Sequence, residues 1–442
     1  MCYNSCVGYT GLLADLNCCP KCGQEQYDPL HTGKVPQKQF HTIPIGPQLQ
    51  VLWWTSKGAK DLGYCKEYTE KFLKELRLNG GNRVSPYSDI FDSSDILKAI
   101  AHEDITCDDM VLMFSIDGAQ LYCSKASDCW IYIWVIMDHA PGVRYKNRYI
   151  LPGGFIGGPN KPKNTDSYIC VGLSHLAAIQ KEGLQIWDAS RREIFVCRPF
   201  LAAVGADAVG LAPIAGTVGH NGKSGCRVHC PFVGRHKDKG THYYSAQLKP
   251  TNFSVKGCDH GDVDLNALLS AHTTKASKAK YDKDLAFLIQ APNKKQYEKR
   301  CLETGLVGPS IFSGLPAKHT LSVPALFVLD IMHLPNLFIP DLFIPLWHGT
   351  FDCNKTDDRW NWTWAALADP AVWKAHGQRV ADATPYIPGS FDRPPCNPAE
   401  KISSGYKAWE HLLHFFGLGP VLLHGILPNN IWENYYKAVR VF

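Results

Sequence analysis

Three apolar runs near the middle of the chain end in turn-forming residues, and this pattern is typical of β-strands. They read VLMFSID (Val111 to Asp117), CWIYIWVIMD (Cys129 to Asp138) and RYILPGGFIGG (Arg148 to Gly158). A helical period follows from Ser167 to Gly183, and another apolar run, IFVCRPFLAAVGAD, ends at Asp207. The pattern therefore predicts three strands, a helix and a further strand.

This order of elements predicts an α/β core of the ribonuclease-H-like kind, whose acidic residues lie on the first and fourth strands. Asp117 closes the first predicted strand and Asp207 closes the last. A carboxylate that follows a buried strand is held rigidly at a sheet edge, where it can bind a hard cation such as Mg²⁺ or Mn²⁺. Each aspartate taken singly is more often a turn or cap residue. Their joint placement on these two strands favours a metal site for phosphoryl transfer.

The chain has 442 residues, enough for two or three domains, and its 45% hydrophobic and 20% charged residues describe a folded globular protein. No run of eighteen apolar residues and no basic segment with an apolar core at the N-terminus is present, so we expect neither a membrane span nor a secretory signal. We predict a cysteine-rich unit at 1–30, a connector with a helical segment at 31–108, the core at 109–216, a basic insert at 217–265 and a mainly helical region at 266–442.

The N-terminal unit carries two cysteine pairs with metal-ligand spacing. Cys2 and Cys6 form the first pair, and Cys19 and Cys22, followed by glycine, form the second. Four thiolates in two such pairs can close a tetrahedral Zn²⁺ site, which predicts a zinc ribbon with Cys18 as a bystander. Buried free thiols are the alternative. Seventeen cysteines in a chain without a secretory signal also favour zinc over disulfides, and hence a reducing compartment.

A second cluster, GHNGKSGCRVHC, holds Cys226 and Cys230. Two cysteines are half of a zinc site, so two further ligands would have to come from elsewhere, and the local histidines are alternatively phosphate contacts or surface residues. From His220 to Pro250 there are six Lys or Arg against one acid, within a formal net charge of +5. We expect double-stranded DNA as the partner, bound through phosphate charge, although a basic run is alternatively a solvated face. The candidate DNA-binding residues are Lys223, Arg227, Arg235, Lys237 and Lys239.

A third motif, FVLDIMHLPNL, places Asp330 and His333 three positions apart after an apolar run. On a helical turn the two side chains share a face, so the aspartate could fix the histidine tautomer while the histidine donates to a phosphate. Alternatively, the aspartate caps the helix and the histidine packs beneath it.

Together these segments resemble the fungal branch of the transposases of CACTA (En/Spm) elements. The resemblance covers nearly the whole chain and is carried by the N-terminal cysteine knuckle, YSDIF, MFSIDGAQLY, YILPGGFIGGPNKPKN, GHNGKSGCRVHCP, LDIMHLPNL and GYKAWEHLLHFFG. It implies a nuclear DDE enzyme, related to the V(D)J recombinase, that cuts element ends and joins a 3′ hydroxyl to target DNA. By the same resemblance, Asp117 and Asp207 are the first two catalytic acids and bind Mg²⁺ or Mn²⁺. The resemblance also implies that Cys226 and Cys230 are half of a structural zinc site. It implies that His333 approaches the scissile phosphate. A homo-oligomer is a further expectation.

The family's third acid, a glutamate, and a histidine pair that completes the zinc site lie beyond the GYKAWEH motif. We therefore expect a fragment truncated at both ends and inactive in cleavage, in which the apolar side of NNIWENYYKAVRVF would pack on following chain. Glu410 is the nearest substitute acid, and we expect it to be a structural helix residue. A non-catalytic, zinc-dependent DNA-binding module is the alternative function, while a hydrolase built on the His and Cys cluster would leave the two strand-end aspartates unexplained.

Overall fold

The computed structural model describes residues 1–81, 86–120, 128–158, 160–219, 222–235, 243, 247–248, 262–271, 274–330, 332–352, 359–391 and 393–441. The chain divides into two compact units, Met1–Leu329 and Asp330–Phe442, called here the first and second units. The boundary falls inside the range 266–442 that the sequence assigns to one helical region. None of the described helices is long and apolar enough to cross a lipid bilayer.

The first unit is a mixed α/β structure built on a five-stranded sheet in the order β1-β4-β3-β2-β7. The strands in its described residues are β1 (His41–Thr42), β2 (Val111–Gln120), β3 (Asp128–Ile136), β4 (Ile150–Gly157), β5 (Leu184–Asp188), β6 (Glu193–Cys197) and β7 (Phe200–Gly205). Strands β2, β3 and β4 form an antiparallel meander, and β7 runs parallel to β2. The three predicted strands and the strand that ends before Asp207 are therefore present in one sheet.

The last predicted strand is shorter than the apolar run suggested. Residues 194–207 divide at Arg198 and Pro199, which separate β6 from β7. Proline has no backbone N–H to donate to a ladder, so a strand is readily interrupted there. Strand β6 pairs with β5 in a separate two-stranded hairpin, while β7 joins the main sheet. The sequence prediction of one continuous strand was wrong at this point.

Ten helices surround this sheet in the described part of the first unit. They are α1 (Ile45–Trp53), α2 (Ser56–Asp61), α3 (Tyr64–Leu78), α4 (Ser94–Ala101), α5 (Pro141–Arg144), α6 (Asp166–Glu182), α7 (Ala208–Ala215), α8 (Leu265–Ala271), α9 (Thr274–Ile289) and α10 (Lys294–Thr304). Helix α6 confirms the predicted helix from Ser167 to Gly183. The predicted helical segment from Gln48 to Leu78 is three helices, α1 to α3, separated by short breaks.

The two faces of the sheet bury different cores because successive strand residues point to opposite sides. On one face, Leu112, Phe114 and Ile116 of β2 pack with residues of α6 such as Leu176. On the other face, Val111 packs with the apolar residues around α4. Burial on both faces explains why β2 reads as a nearly continuous apolar run.

A Pro-Gly-Gly sequence inside β4 lets a buried aromatic ring approach the strand. Tyr132 of β3 is 1% exposed, and a Cβ at Gly153 or Gly154 would lie 2.3 Å or 2.4 Å from its ring carbons. Any side chain at either glycine would therefore displace the ring. The strand keeps glycine at these positions so that Tyr132 can reach α6, where a Cβ at Gly172 would lie 2.8 Å from its hydroxyl oxygen.

The second unit is helical in its described residues and has its own core. Its helices are α11 (Ile339–His348), α12 (Pro370–Asp382), α13 (Pro398–Lys401), α14 (Ala408–Leu412), α15 (Gly419–Leu422) and α16 (Asn429–Val439), with π-helical turns at Leu334–Phe338 and Leu413–Leu418. Tyr435 of α16 is buried against Trp347 and Phe415, with ring centroids 5.0 Å from each. The apolar side of α16 packs within this unit, contrary to the expectation that it needs further chain to cover it.

Candidate functional site

The four N-terminal cysteines converge on one point. The sulfur atoms of Cys2, Cys6, Cys19 and Cys22 all lie within 4.8 Å of one another. The Sγ atoms of Cys2 and Cys22 are 3.6 Å apart, close to the ~3.8 Å edge of a tetrahedron whose Zn–S distances are about 2.3 Å. The donor set and its spacing therefore fit a bound Zn²⁺ ion, and the predicted cluster is confirmed as a site that can hold such a metal.

The local backbone of the second pair explains its convergence. A tight turn brings Cys19 and Cys22 together, with hydrogen bonds from Gly23 N to Cys19 O at 2.8 Å and from Cys19 N to Gln24 O at 2.8 Å. Gly23 has a φ of 72°, which favours glycine. The amide of Lys21 donates to the sulfur of Cys19 at 3.4 Å. This is the knuckle that the Cys-Pro-x-Cys-Gly sequence predicts.

The electrostatics of the cluster also suit a cation. Burial, followed by the neighbouring thiols, raises the pKa of Cys6 to about 12. At Cys22 the backbone amide of Gln24 and the side chain of Asn4 lower the pKa to about 6. The protein alone therefore holds these thiols in unequal protonation states. A dication would favour the thiolate form of all four, since metal ligation deprotonates cysteine.

The N-terminal unit that carries the four cysteines, called here the ribbon, is joined to the core by hydrogen bonds rather than tethered to it as a separate module. The amide of Gly8 donates to Ser167 Oγ at 2.8 Å, Ser5 Oγ donates to Gly157 O at 3.2 Å, and the amide of Asn164 donates to Cys6 O at 2.9 Å. These contacts attach the ribbon to the end of β4 and the start of α6. The sequence offered no signal for them, because the residues are more than 150 positions apart.

The two predicted catalytic aspartates lie at corresponding positions of β2 and of the chain that follows β7. The last residue pair between these parallel strands is Ser115 with Gly205, and Asp117 and Asp207 each follow two positions later. The sequence predicted that Asp117 closes its strand, which was wrong, because β2 continues to Gln120 and Asp117 pairs with Ile131 of β3. Asp207 lies beyond the end of β7 and is the N-cap of α7. The parallel pairing therefore places both aspartates towards the same end of the two strands.

Each carboxylate already has one structural hydrogen bond. Asp207 is the N-cap of α7, where its Oδ1 accepts from the amide of Gly210, and Oδ1 of Asp117 accepts from the amide of Gly118 at 2.7 Å. These bonds are the cap and turn roles that a lone aspartate after a strand would have. They occupy one oxygen of each carboxylate, so Oδ2 of each is the ligand that could reach a divalent cation. Within the described residues no third histidine, cysteine or carboxylate ligand atom gathers with them.

The cysteine pair of the basic insert is also brought together. Both cysteines line one small cavity, and the thiol of Cys226, followed by burial, raises the pKa of Cys230. His229 between them turns away, because its Nε2 lies 2.8 Å from Asp284 Oδ2 and 3.1 Å from Lys280 Nζ. His229 is therefore engaged elsewhere. The other nearby candidate ligands, His236, His242, Cys258 and His260, lie outside the described residues.

The predicted DNA-binding cations differ in their surroundings. Lys223 is exposed, whereas Arg227 donates to Val328 O at 3.2 Å and Arg235 donates to Gln247 O at 3.3 Å. Lys237 and Lys239 lie outside the described residues. Both arginines therefore support the fold of the insert in addition to supplying positive charge.

The second unit contains the Asp330 and His333 pair and Glu410. Oδ2 of Asp330 contacts His333 Nδ1, and its Oδ1 accepts from the amide of His333 at 3.0 Å. This is the predicted tautomer-fixing contact, and the same aspartate also caps the turn. Glu410 is 1% exposed and accepts from the amides of Cys396 at 3.1 Å and Lys407 at 3.0 Å. Glu410 therefore has the structural helix role that we expected for it.

The chain matches no protein-family model and no curated protein. The geometry of its own residues is therefore what supports a functional proposal. The strongest elements of that geometry are the four-cysteine cluster and the shared register of Asp117 and Asp207.

Proposed function

We propose that this protein is a transposase of the CACTA type, built on a ribonuclease-H-like fold, that retains two catalytic acids, binds DNA and cleaves it weakly or not at all. The observation that carries the proposal is the parallel pairing of β2 with β7, which places Asp117 of β2 and Asp207, just beyond β7, each two residues after the pair Ser115 and Gly205. Two carboxylates at one sheet edge are the arrangement that phosphoryl-transfer enzymes use to hold divalent cations.

The topology of the sheet supports the same proposal. Three antiparallel strands, β2 to β4, are followed by helix α6, by the separate β5–β6 hairpin and then by β7, which runs parallel to β2. Beyond β7, Phe327 continues the sheet through a parallel bridge to Val204. This order agrees with a ribonuclease-H-like core in which the acids lie on the first and fourth strands.

The proposed roles follow from the residues. Asp117 and Asp207 would hold Mg²⁺ or Mn²⁺, which when bound activates an attacking water or 3′ hydroxyl and stabilises the leaving oxygen. His333, oriented by Asp330, would contact the scissile phosphate. The basic insert would bind the phosphates of double-stranded DNA, and the zinc ribbon would stabilise the edge of the core. Element DNA as the substrate implies a nuclear protein.

The second candidate function is a DNA-binding module that does not cut. It is favoured by one observation, the lack of a third ligand beside Asp117 and Asp207 among the described residues. Mg²⁺ demands near-ideal octahedral geometry, so two carboxylates alone would hold it loosely. Binding through phosphate charge needs no such precision. We therefore expect DNA binding from this chain and little or no cleavage.

A gel shift and a nicking assay on the same labelled duplex, in Mg²⁺ and in Mn²⁺, separate these possibilities. Nicking that is lost in Asp117→Asn and Asp207→Asn but retained in Asp282→Asn, an exposed aspartate paired with Lys278 on α9, would establish the enzyme. Binding without nicking, weakened steeply by added salt, would establish the module. A chain that neither binds nor nicks duplex DNA would refute both.

A further inference from the structure

The first unit contains a cavity of about 350 Å³ beside helices α3 and α4. Small-molecule sites in proteins occupy roughly 300–1,000 Å³ and are mostly apolar with a few placed polar groups. The apolar residues that line this cavity are Trp53, Leu62, Leu73, Ile100, Ile105 and Met110. The space is therefore large enough for an organic molecule the size of one or two rings.

Three of the polar side chains that line this cavity lie close together. Cys65 and Thr69 lie one turn apart on α3 and so share a face, and Asp138 follows β3. Thr69 is 7% exposed, and its hydroxyl has no nitrogen or oxygen partner among the described residues. The Asp138 carboxylate is near enough to Cys65 that, after burial, it raises the pKa of that thiol. The polar groups therefore cluster at one part of the wall.

Asp138 is a buried carboxyl group in the wall of this cavity, and backbone amides, those of Val111 and of Asp138 itself, are its hydrogen-bond donors. It is 5% exposed, and its Oδ2 accepts from the amide of Val111 at 2.7 Å. No side chain in the described part of the chain donates to its Oδ1. By contrast, Asp109 already accepts from Thr106 and from the amide of Arg198, at 2.7 Å and 2.6 Å.

The charge of the lining is predominantly negative. Four carboxyl groups, Glu70, Asp108, Asp109 and Asp138, face two cationic side chains, Lys66 and Arg191. The guanidinium of Arg191 is engaged by Asp108 at 3.3 Å and by Asp188 at 2.7 Å. Burial raises the pKa of Asp138 to about 7, and the nearby Arg144 guanidinium, which pairs with Asp89, only partly offsets this rise. An anionic ligand would be repelled here, and a neutral one would leave the ionised carboxylate without a partner.

We propose that this cavity is a binding site for a small organic cation, an amine carried on an apolar body about the size of an aromatic ring. The ammonium group donates to Asp138 Oδ1 and Thr69 Oγ1, and the apolar body packs between Trp53, Leu73 and Ile105. The proposal does not depend on the transposase function, because it uses none of the residues that would hold DNA or divalent cations.

Benzylamine, benzyl alcohol and benzoate are matched probes for this site, because they share a ring and differ in charge. Binding to the full chain is measured by titration calorimetry and saturation-transfer NMR at one pH. We expect benzylamine to bind at least about tenfold tighter than benzyl alcohol, as a charge-assisted hydrogen bond requires, and benzoate not to bind. Asp138→Asn should remove the preference for the amine, while Glu70→Gln at the exposed rim should change the affinity by less than about twofold.

Leu73→Trp tests the location, because a larger side chain at this half-buried position fills the cavity and should abolish binding of both ring compounds. If Asp138→Asn does not fold, Thr69→Val replaces it as the variant that should weaken benzylamine and spare benzyl alcohol. Equal affinity for benzylamine and benzyl alcohol, or amine binding that survives Leu73→Trp, would overturn the proposal.

Discussion

Acidification should destabilise the second unit through buried histidines. His376 of α12 and His414 of the π-helical turn are 1% and 2% exposed, and their Nε2 atoms lie 3.0 Å apart. One of the two must be neutral to accept this hydrogen bond. Burial lowers the pKa of His376 to about 4, and it also lowers the pKa of His414 well below its usual value. The unfolded chain therefore binds protons that the folded unit excludes.

The direction and size of the effect follow from linkage. Above the unfolded pKa of about 6.5 both states are neutral and the unit keeps its full stability. As the pH falls from 6.5 towards the folded pKa of about 4, the unfolded state gains protons first and stability is lost. For His376 alone the loss between pH 7 and pH 5 is about 2 kcal/mol. His414 should add to it in the same direction.

Hydrogen exchange measured by mass spectrometry at pH 7 and pH 5, corrected for intrinsic rates, reports this loss in α12 and in residues 413–418. Trp373 stacks on His376 with ring centroids 5.8 Å apart, so its fluorescence offers a second local probe. His376→Gln cannot take up a proton and should reduce the pH dependence, whereas His102→Gln, an exposed residue of the first unit, should leave it unchanged. The reasoning fails if His376→Gln shows the same loss between pH 7 and pH 5 as the natural chain.

Three further predictions concern the first unit. Removing zinc by chelation should increase hydrogen exchange at the start of α6 as well as in the ribbon, because Ser167 and Asn164 bond to ribbon residues; exchange confined to residues 1–30 would contradict this docking. Gly8→Ala should loosen the junction between the ribbon and α6 while all four cysteines remain, since the alanine Cβ would lie 2.8 Å from Ser167 O. Unchanged hydrogen exchange in α6 of this variant would contradict the prediction. Arg144→Ala should lower the free energy of unfolding, measured by denaturant titration, by about 3–5 kcal/mol, because it leaves Asp89 buried without its bidentate partner. A loss below about 1 kcal/mol would show that the pair is not buried in solution.

The sequence by itself determined the parts of the protein that depend on local pattern. Apolar runs that end in turn-forming residues identified β2, β3 and β4, and the helical period identified α6, because both signals lie within one segment of the chain. The spacing of Cys2, Cys6, Cys19 and Cys22 identified the cluster that can hold a metal, since each pair is brought together by its own tight turn. Placing Asp207 after a strand was likewise a local inference, whereas the local pattern ended β2 too early, at Asp117 instead of Gln120.

Only the tertiary structure decided which of these elements meet. The parallel pairing of β7 with β2 gives the two aspartates a common register, and it rests on contacts between residues about 90 positions apart in the chain. The junction between the ribbon and α6 and the buried role of Glu410 also depend on partners that no local pattern names. The cavity around Asp138 likewise forms from segments between Trp53 and Arg191. Hydrophobic burial is non-directional, so a sequence shows which residues are buried. Chain topology and close packing decide which partners each buried residue packs against.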